Sequence, residues 1–191
     1  MVFAHPCADS FAAACARRAA DALRDAGHEV DVLDLEALDF RAEMTADEYL
    51  TYSRGEPPTD PMVLAHGELV RNAEALVVVY PTWWSSLPAI LKGWFDRVLV
   101  PGVAFELDAS GRIRPALRNL RHIVGISTYG SPRTYVRFIN DNGRRIITRT
   151  LRLNTTGRCR RSWLGLYAID SSTHEQRSRF LDRIEHRMRA L

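Results

Sequence analysis

Ala75-Leu-Val-Val-Val-Tyr80, running straight into Pro81-Thr-Trp-Trp-Ser-Ser86, is the stretch on which the fold turns. Consecutive apolar residues with no polar alternation are what a central parallel strand needs when both its faces are covered. The flanking sequence supplies the covers. Upstream, residues 61–73 place Met62, Leu64, Ala65, Leu69 and Val70 at helical spacing. Downstream, Pro88 suits the first turn of a helix running to about residue 100, where its missing N–H would go unpaired anyway.

Working outward, strand and helix alternate through five rounds. Met1 to Ala4 reads as a short buried strand, residues 10–26 as an alanine-rich helix stopped by Gly27, and residues 29–35 as a strand with one better-buried face. Residues 39–60 are a polar excursion in which Thr45-Ala-Asp-Glu48 resembles a capping box for one short helix. Residues 102–120 are irregular, with a hairpin expected near 108–111. Residues 122–128 predict a strand, 135–151 a helix, 159–167 a strand and 173–191 a closing helix. This order predicts an α/β fold with a five-stranded parallel sheet and helices on both faces, a single domain over residues 1–191.

With 191 residues, 46% hydrophobic and 26% charged, the chain has the makeup of an ordinary globular domain, and its apolar runs are far too short to span a bilayer. Met1 leads into Val-Phe-Ala-His-Pro without a basic region or a leader-length apolar segment, so a cytoplasmic location is expected. Cys7, Cys15 and Cys159 are odd in number and lack metal-ligand spacing, so reduced thiols are expected and no metal. The net charge of +3 conceals an arginine run between Arg133 and Arg161. It fits a solvated helical face or a surface for an acidic ligand such as a nucleotide phosphate. No nucleic-acid-binding module accompanies it, and none is expected as a partner. Neither paired carboxylates nor a Ser/His/Asp constellation stands out to support a hydrolase.

In parallel sheets ligands bind at the carboxyl ends of the strands, so three loops carry the functional reading. The first, His5-Pro-Cys-Ala-Asp-Ser10-Phe11, feeds a helix N-terminus that favours a phosphate, yet it lacks the glycines of a Rossmann or Walker loop. Ser10 is equally a plain helix cap, and His5 a satisfied strand-end histidine. In the second loop, Trp83 and Trp84 either pack as core aromatics or offer their faces to a flat heteroaromatic ring. The third, Ser127-Thr128-Tyr129-Gly130-Ser131-Pro132-Arg133, is small and polar and could bond a ring's polar edge.

Two segments carry a family resemblance. Phe3-Ala-His-Pro-Cys-Ala-Asp-Ser-Phe11 is similar to the phosphate loop of the NAD(P)H:quinone oxidoreductases. Tyr80-Pro-Thr-Trp-Trp-Ser-Ser-Leu-Pro-Ala-Ile-Leu-Lys-Gly-Trp-Phe-Asp-Arg97, with Pro101-Gly-Val-Ala-Phe105, resembles their longer signature. The resemblance implies a flavodoxin-like three-layer sandwich that binds FAD or FMN and works as a homodimer. It implies NAD(P)H as hydride donor and a small aromatic or quinone acceptor. By position, His5, Ser10 and Phe11 would hold the flavin phosphate end; Pro81, Thr82, Trp83 and Trp84 would flank the ring; Ser127, Thr128, Gly130 and Ser131 would line its other side. Tyr135 and Tyr129 would be the catalytic hydroxyls. Lys92, Trp94, Asp96 and Arg97 would build the domain and the dimer interface rather than do chemistry. Some members of this family are flavin-binding accessory subunits of potassium-efflux systems, which is the alternative function.

The chain also departs from the family. Asp141 stands where the relatives carry a histidine, Tyr129 replaces a loop glycine, and a first strand of four residues is short for a central position.

Overall fold

In the computed structural model, which describes residues 1–191, the chain opens with a short strand, β1 (Val2–Phe3). Helix α1 (Phe11–Asp25) follows because Ser10 caps it, its Oγ accepting from the Ala13 amide at 3.1 Å. Gly27, at φ +90°, then takes the left-handed turn that lets the chain leave the helix. Strand β2 is shorter than the alternation of residues 29–35 predicts. Only Leu33–Asp34 enter the ladder, because β1 presents a partner no longer than residues 2–3.

The polar excursion carries α2 (Ala46–Ser53), with the expected capping box between Thr45 and Glu48. Helix α3 (Pro61–Asn72) starts from Asp60 and leads into β3 (Ala75–Pro81). Residues 76 to 80 are all buried, which is what their continuous apolar character requires. Helix α4 (Ala89–Val98) begins one residue later than expected, with Pro88 as its cap position. A small antiparallel hairpin, β4 (Phe105–Leu107) and β5 (Ile113–Pro115), is closed by Asp108.

Strand β6 (His122–Thr128) holds the expected bounds, and β7 (Arg160–Leu166) is one residue shorter at each end. Between them the predicted helix over 135–151 is broken into α5 (Arg133–Phe138), α6 (Asn142–Arg145), a π turn (Ile146–Thr150) and a 3-10 turn (Leu151–Asn154). The break falls at Asn140 and Asp141, which sit at φ +75° and +38°. Helix α7 (His174–Met188) closes the chain, capped by Thr173.

The five parallel strands lie in the order β2-β1-β3-β6-β7, the doubly wound flavodoxin-like arrangement. Alternate β3 side chains point to opposite layers. Val77 and Val79 pack with α1 and α7, while Leu76, Val78 and Tyr80 pack with α3, α4 and the 146–151 turns. On the second face Gly125 of β6 is opposite Trp163 of β7, and a Cβ there would meet the indole at 2.2 Å. The absence of a side chain at 125 is therefore what lets Trp163 lie on the sheet. No helix is long and apolar enough to cross a membrane.

Buried Arg97 of α4 ties this second layer together. It donates to Glu48 of α2, to Asp60 at 2.7 Å and to the Arg41 carbonyl at 2.6 Å, with its guanidinium over the Phe40 ring. Burial alone would raise both carboxyls, but hydrogen bonds from Arg97 and from neighbouring backbone outweigh it and hold Glu48 and Asp60 below their ordinary values. Trp94 is fully buried, its Nε1 donating to His66 Nδ1 at 3.2 Å, whereas Lys92 and Asp96 pair on the surface at 2.6 Å. The helix thus builds the domain, as its sequence implied.

Candidate functional site

Three loops converge at the carboxyl ends of β1, β3 and β6, neighbouring strands of the sheet. In the first, His5 Nδ1 accepts from the Cys7 amide at 2.9 Å. A neutral imidazole so engaged carries its proton on Nε2, which is then free to donate outward. The Ser10 amide closes the turn onto the Cys7 carbonyl at 3.2 Å, and the Phe11 and Ala12 amides at the start of α1 find no partner within the chain. Phe11 turns its ring onto Phe180, with centroids 6.3 Å apart. Ser10 is a helix cap, and the loop around it also leaves donors facing out at the positive end of a four-turn helix.

In the second loop, Trp83 and Ser86 exchange backbone hydrogen bonds of 3.1 and 2.8 Å across a two-residue turn. Both central residues are left-handed, Trp84 at φ +46° and Ser85 at φ +59°. Asn-Gly is the usual occupant of such a turn, and a tryptophan there costs on the order of 1 kcal/mol or more. The turn holds the Trp84 indole out in solvent, 98% exposed, and Trp83 is 58% exposed. Packing beneath the long loops is therefore excluded for both.

The third loop is bound to the second. The Thr82 amide donates to the Thr128 carbonyl at 2.8 Å, and the hydroxyls of Thr82 and Ser127 lie 2.9 Å apart. Ser127 and Thr128 are buried strand-end residues, with Pro81 half-buried beside them; contrary to expectation, neither hydroxyl residue lines the cleft above. Tyr129 and Ser131 are pinned to the segment leaving β7 by bonds to Leu166, Ile169 and Ala168 of 2.8 to 3.0 Å. A cleft of about 300 Å³ opens above, lined among others by Thr82, Trp84, Ser85, Gly130, Ser131 and Tyr135. The amides of Trp84, Ser85, Gly130 and Ser131 make no hydrogen bond within the chain. Tyr135 stands half exposed on the first turn of α5.

Tyr129 does not stand over this cleft as a free hydroxyl. It is 2% exposed, stacked on Tyr167 at 4.6 Å, and its hydroxyl donates to Asp141 Oδ2 at 2.8 Å. Burial, and then the Asp141 carboxylate, push that hydroxyl far above its ordinary range. The hydroxyl expected to be catalytic is thus buried and spent within the chain. The contact of Tyr129 with Asp141 is what the sequence reading did not anticipate. Asp141 caps α6 by accepting from the Arg144 amide at 3.2 Å, and it joins α6 to the third loop through Tyr129. The signal was present as two separate departures from the family pattern, Tyr129 for a glycine and Asp141 for a histidine. In the structure they form one hydrogen-bonded pair.

A doubly wound sheet with donor-rich loops at its carboxyl edge defines the flavodoxin-like class. A family model described as flavodoxin-like fold matches residues 1–190, and the chain belongs to that family. The chain is 33% identical over 109 residues to an uncharacterised NAD(P)H oxidoreductase of Haemophilus influenzae, covering 56% of this chain and 53% of that one. It is 32% identical over 152 residues to NAD(P)H dehydrogenase (quinone) 1 of Rattus norvegicus, covering 71% and 54%. The chain thus spans about half the length of these two curated relatives. The solved NAD(P)H:quinone oxidoreductase of Methanothermobacter marburgensis superposes with a TM-score of 0.79 at 27% identity, over 98% of this chain and 93% of that one.

Proposed function

We propose that the chain is a flavin-dependent NAD(P)H oxidoreductase with a quinone-like acceptor, working as a cytoplasmic homodimer. The observation that carries this reading is the cleft itself: an exposed tryptophan face and four unpaired amides, next to a helix N-terminus with spare donors. A flavin is chemically suited to these surroundings, having an apolar ring face, a polar ring edge and a phosphate end. FAD or FMN, when bound, supplies hydride acceptance from NAD(P)H and hydride donation to the acceptor.

The chain's own residues do the rest. The Phe11 and Ala12 amides, the His5 Nε2 proton and the dipole of α1 suit the phosphate end, with Ser10 fixing the turn that aims them. Trp84 and Thr82 suit one side of the ring. The Gly130 and Ser131 amides can donate to its polar edge, where charge develops on reduction. Tyr135 is the exposed hydroxyl above the cleft and the candidate proton donor. Tyr129 and Asp141 hold the third loop in place.

Trp84 at 98% and Phe138 at 86% exposure are the apolar surface that a second copy would cover, excluding water from the cleft. All three cysteines are unpaired, Cys7 on the surface, which suits a reducing compartment.

Titration of the protein with FMN and with FAD tests the reading. A shifted, saturating visible spectrum is expected for the preferred flavin, and Trp84→Ala should weaken its binding by up to about tenfold through lost ring stacking. Absence of binding by both flavins would contradict the proposal.

A further inference from the structure

Between residues 133 and 161 the chain carries nine arginines and a single acidic residue, Asp141. Six of them, Arg133, Arg137, Arg144, Arg145, Arg149 and Arg161, line one open groove of about 740 Å³. None of the six guanidinium groups lies within 4.0 Å of a carboxylate oxygen. Most arginines outside residues 133–161 behave differently: Arg18, Arg54, Arg114, Arg118 and Arg189, for example, each pair with an aspartate or glutamate, although Arg17, Arg112 and Arg121 do not. Asp141, the one acid in the groove, is already engaged by Tyr129 and the Arg144 amide. A run of solvated arginines would be expected to share in the pairing seen over much of the rest of the surface. This groove instead concentrates positive charge that only an external anion relieves.

The groove adjoins the cleft at the strand ends, since Val136 and Asp141 line both. An extended ligand with one end in the cleft has the arginines beside its other end. Trp163 and Tyr167 give the groove an aromatic wall beside the guanidinium groups. We propose that this groove receives the adenosine end of the hydride donor and selects a pyridine nucleotide bearing a 2′-phosphate. The assignment rests on the reductase reading of the cleft. A phosphate monoester carries close to two negative charges at neutral pH and offers three acceptor oxygens, which guanidinium forks match in pairs. The unphosphorylated nucleotide carries only its pyrophosphate and leaves more of the groove uncompensated.

Calorimetric titration of the flavin-loaded protein with adenosine 2′,5′-bisphosphate and with adenosine 5′-monophosphate tests the assignment without turnover. The bisphosphate should bind tighter by about tenfold or more. The double substitution Arg144→Gln/Arg149→Gln should erase that preference, and Arg112→Gln on the distant hairpin should leave it. Both groove positions are exposed, and an unchanged thermal midpoint would show that the variant is folded. Equal binding of the two nucleotides, binding of neither, or a preference that survives the double substitution would overturn the proposal. Flavin reduction by NADH and NADPH, measured separately, tests the parent reading. Equal reduction by both donors without discrimination in the titration defeats the groove assignment alone, whereas failure of both donors to reduce the flavin defeats the reductase reading.

Discussion

Trp84 occupies a backbone conformation that costs energy and gains no burial in return. Strain of this kind collects where function requires it. Trp84→Gly should therefore raise the stability of the protein by about 1 kcal/mol while weakening flavin binding, read from urea midpoints and flavin titration of the same preparation. Loss of both stability and binding would show that the indole supports the fold instead. Tyr129 and Asp141 make the complementary case, a buried pair whose value is positional. Tyr129→Phe should cost about 1–3 kcal/mol, because it strips a buried carboxylate of one partner, and urea denaturation measures it. Asp141→Asn keeps an acceptor oxygen for the hydroxyl and should cost less. At this scale His5, Ser10 and the tryptophan pair stood out in the sequence because position at a strand end is a local property. The sequence did not announce the partnership of residues 129 and 141. That contact depends on a left-handed break at Asn140 and Asp141, for which the run Asn140-Asp-Asn-Gly143 was the only local sign.

At the scale of elements, the ion pairs of Arg97 join α2, α3 and α4 in the layer that backs the cleft. Removing the guanidinium strips buried Glu48 of its main charge partner, leaving it Arg41 at 3.9 Å and Thr45, so Arg97→Leu should destabilise the protein by about 3 kcal/mol. The linkage to pH has a definite sign. Folding holds the Glu48 and Asp60 carboxyls below their ordinary values of 4.5 and 3.8, so the unfolded chain takes up protons first as acid is added. Their contribution is complete above pH 4.5 and is lost as pH falls toward the depressed values. His66 adds a loss of the same sign at higher pH. Burial, only partly offset by Asp60, lowers its imidazole below the ordinary 6.5, so stability begins to fall as pH drops through 6.5. Thermal midpoints between pH 7 and pH 3 should trace both declines in the parent and a shallower acid limb in Arg97→Leu; identical acid limbs would remove the ion pairs from the account. Helices α1, α3 and α7 were legible because caps and apolar spacing are local. Strand β2 and the segment after β6 were not, because the first is limited by the length of its partner and the second by turns that periodicity does not register.

For the whole molecule, one apolar run sets the plan. Residues 76–80 are buried on both faces, so they need two helical layers, and parallel neighbours follow from the crossovers that make those layers. The same topology brings the ends of β1, β3 and β6 to one edge and with them the three loops. The fold was therefore open to reading from strand and helix order, and the place of the site from the rule that ligands bind at strand carboxyl ends. The arginine groove was visible only as a compositional run, because charge pairing across a surface is decided by tertiary neighbours. The most direct test of the central claim is the visible spectrum of the flavin-loaded protein, followed without oxygen as NADPH or NADH is added and then a quinone. The account predicts that the bound flavin band bleaches with at least one nucleotide and returns when the quinone is added; a bound flavin that neither nucleotide bleaches would contradict it.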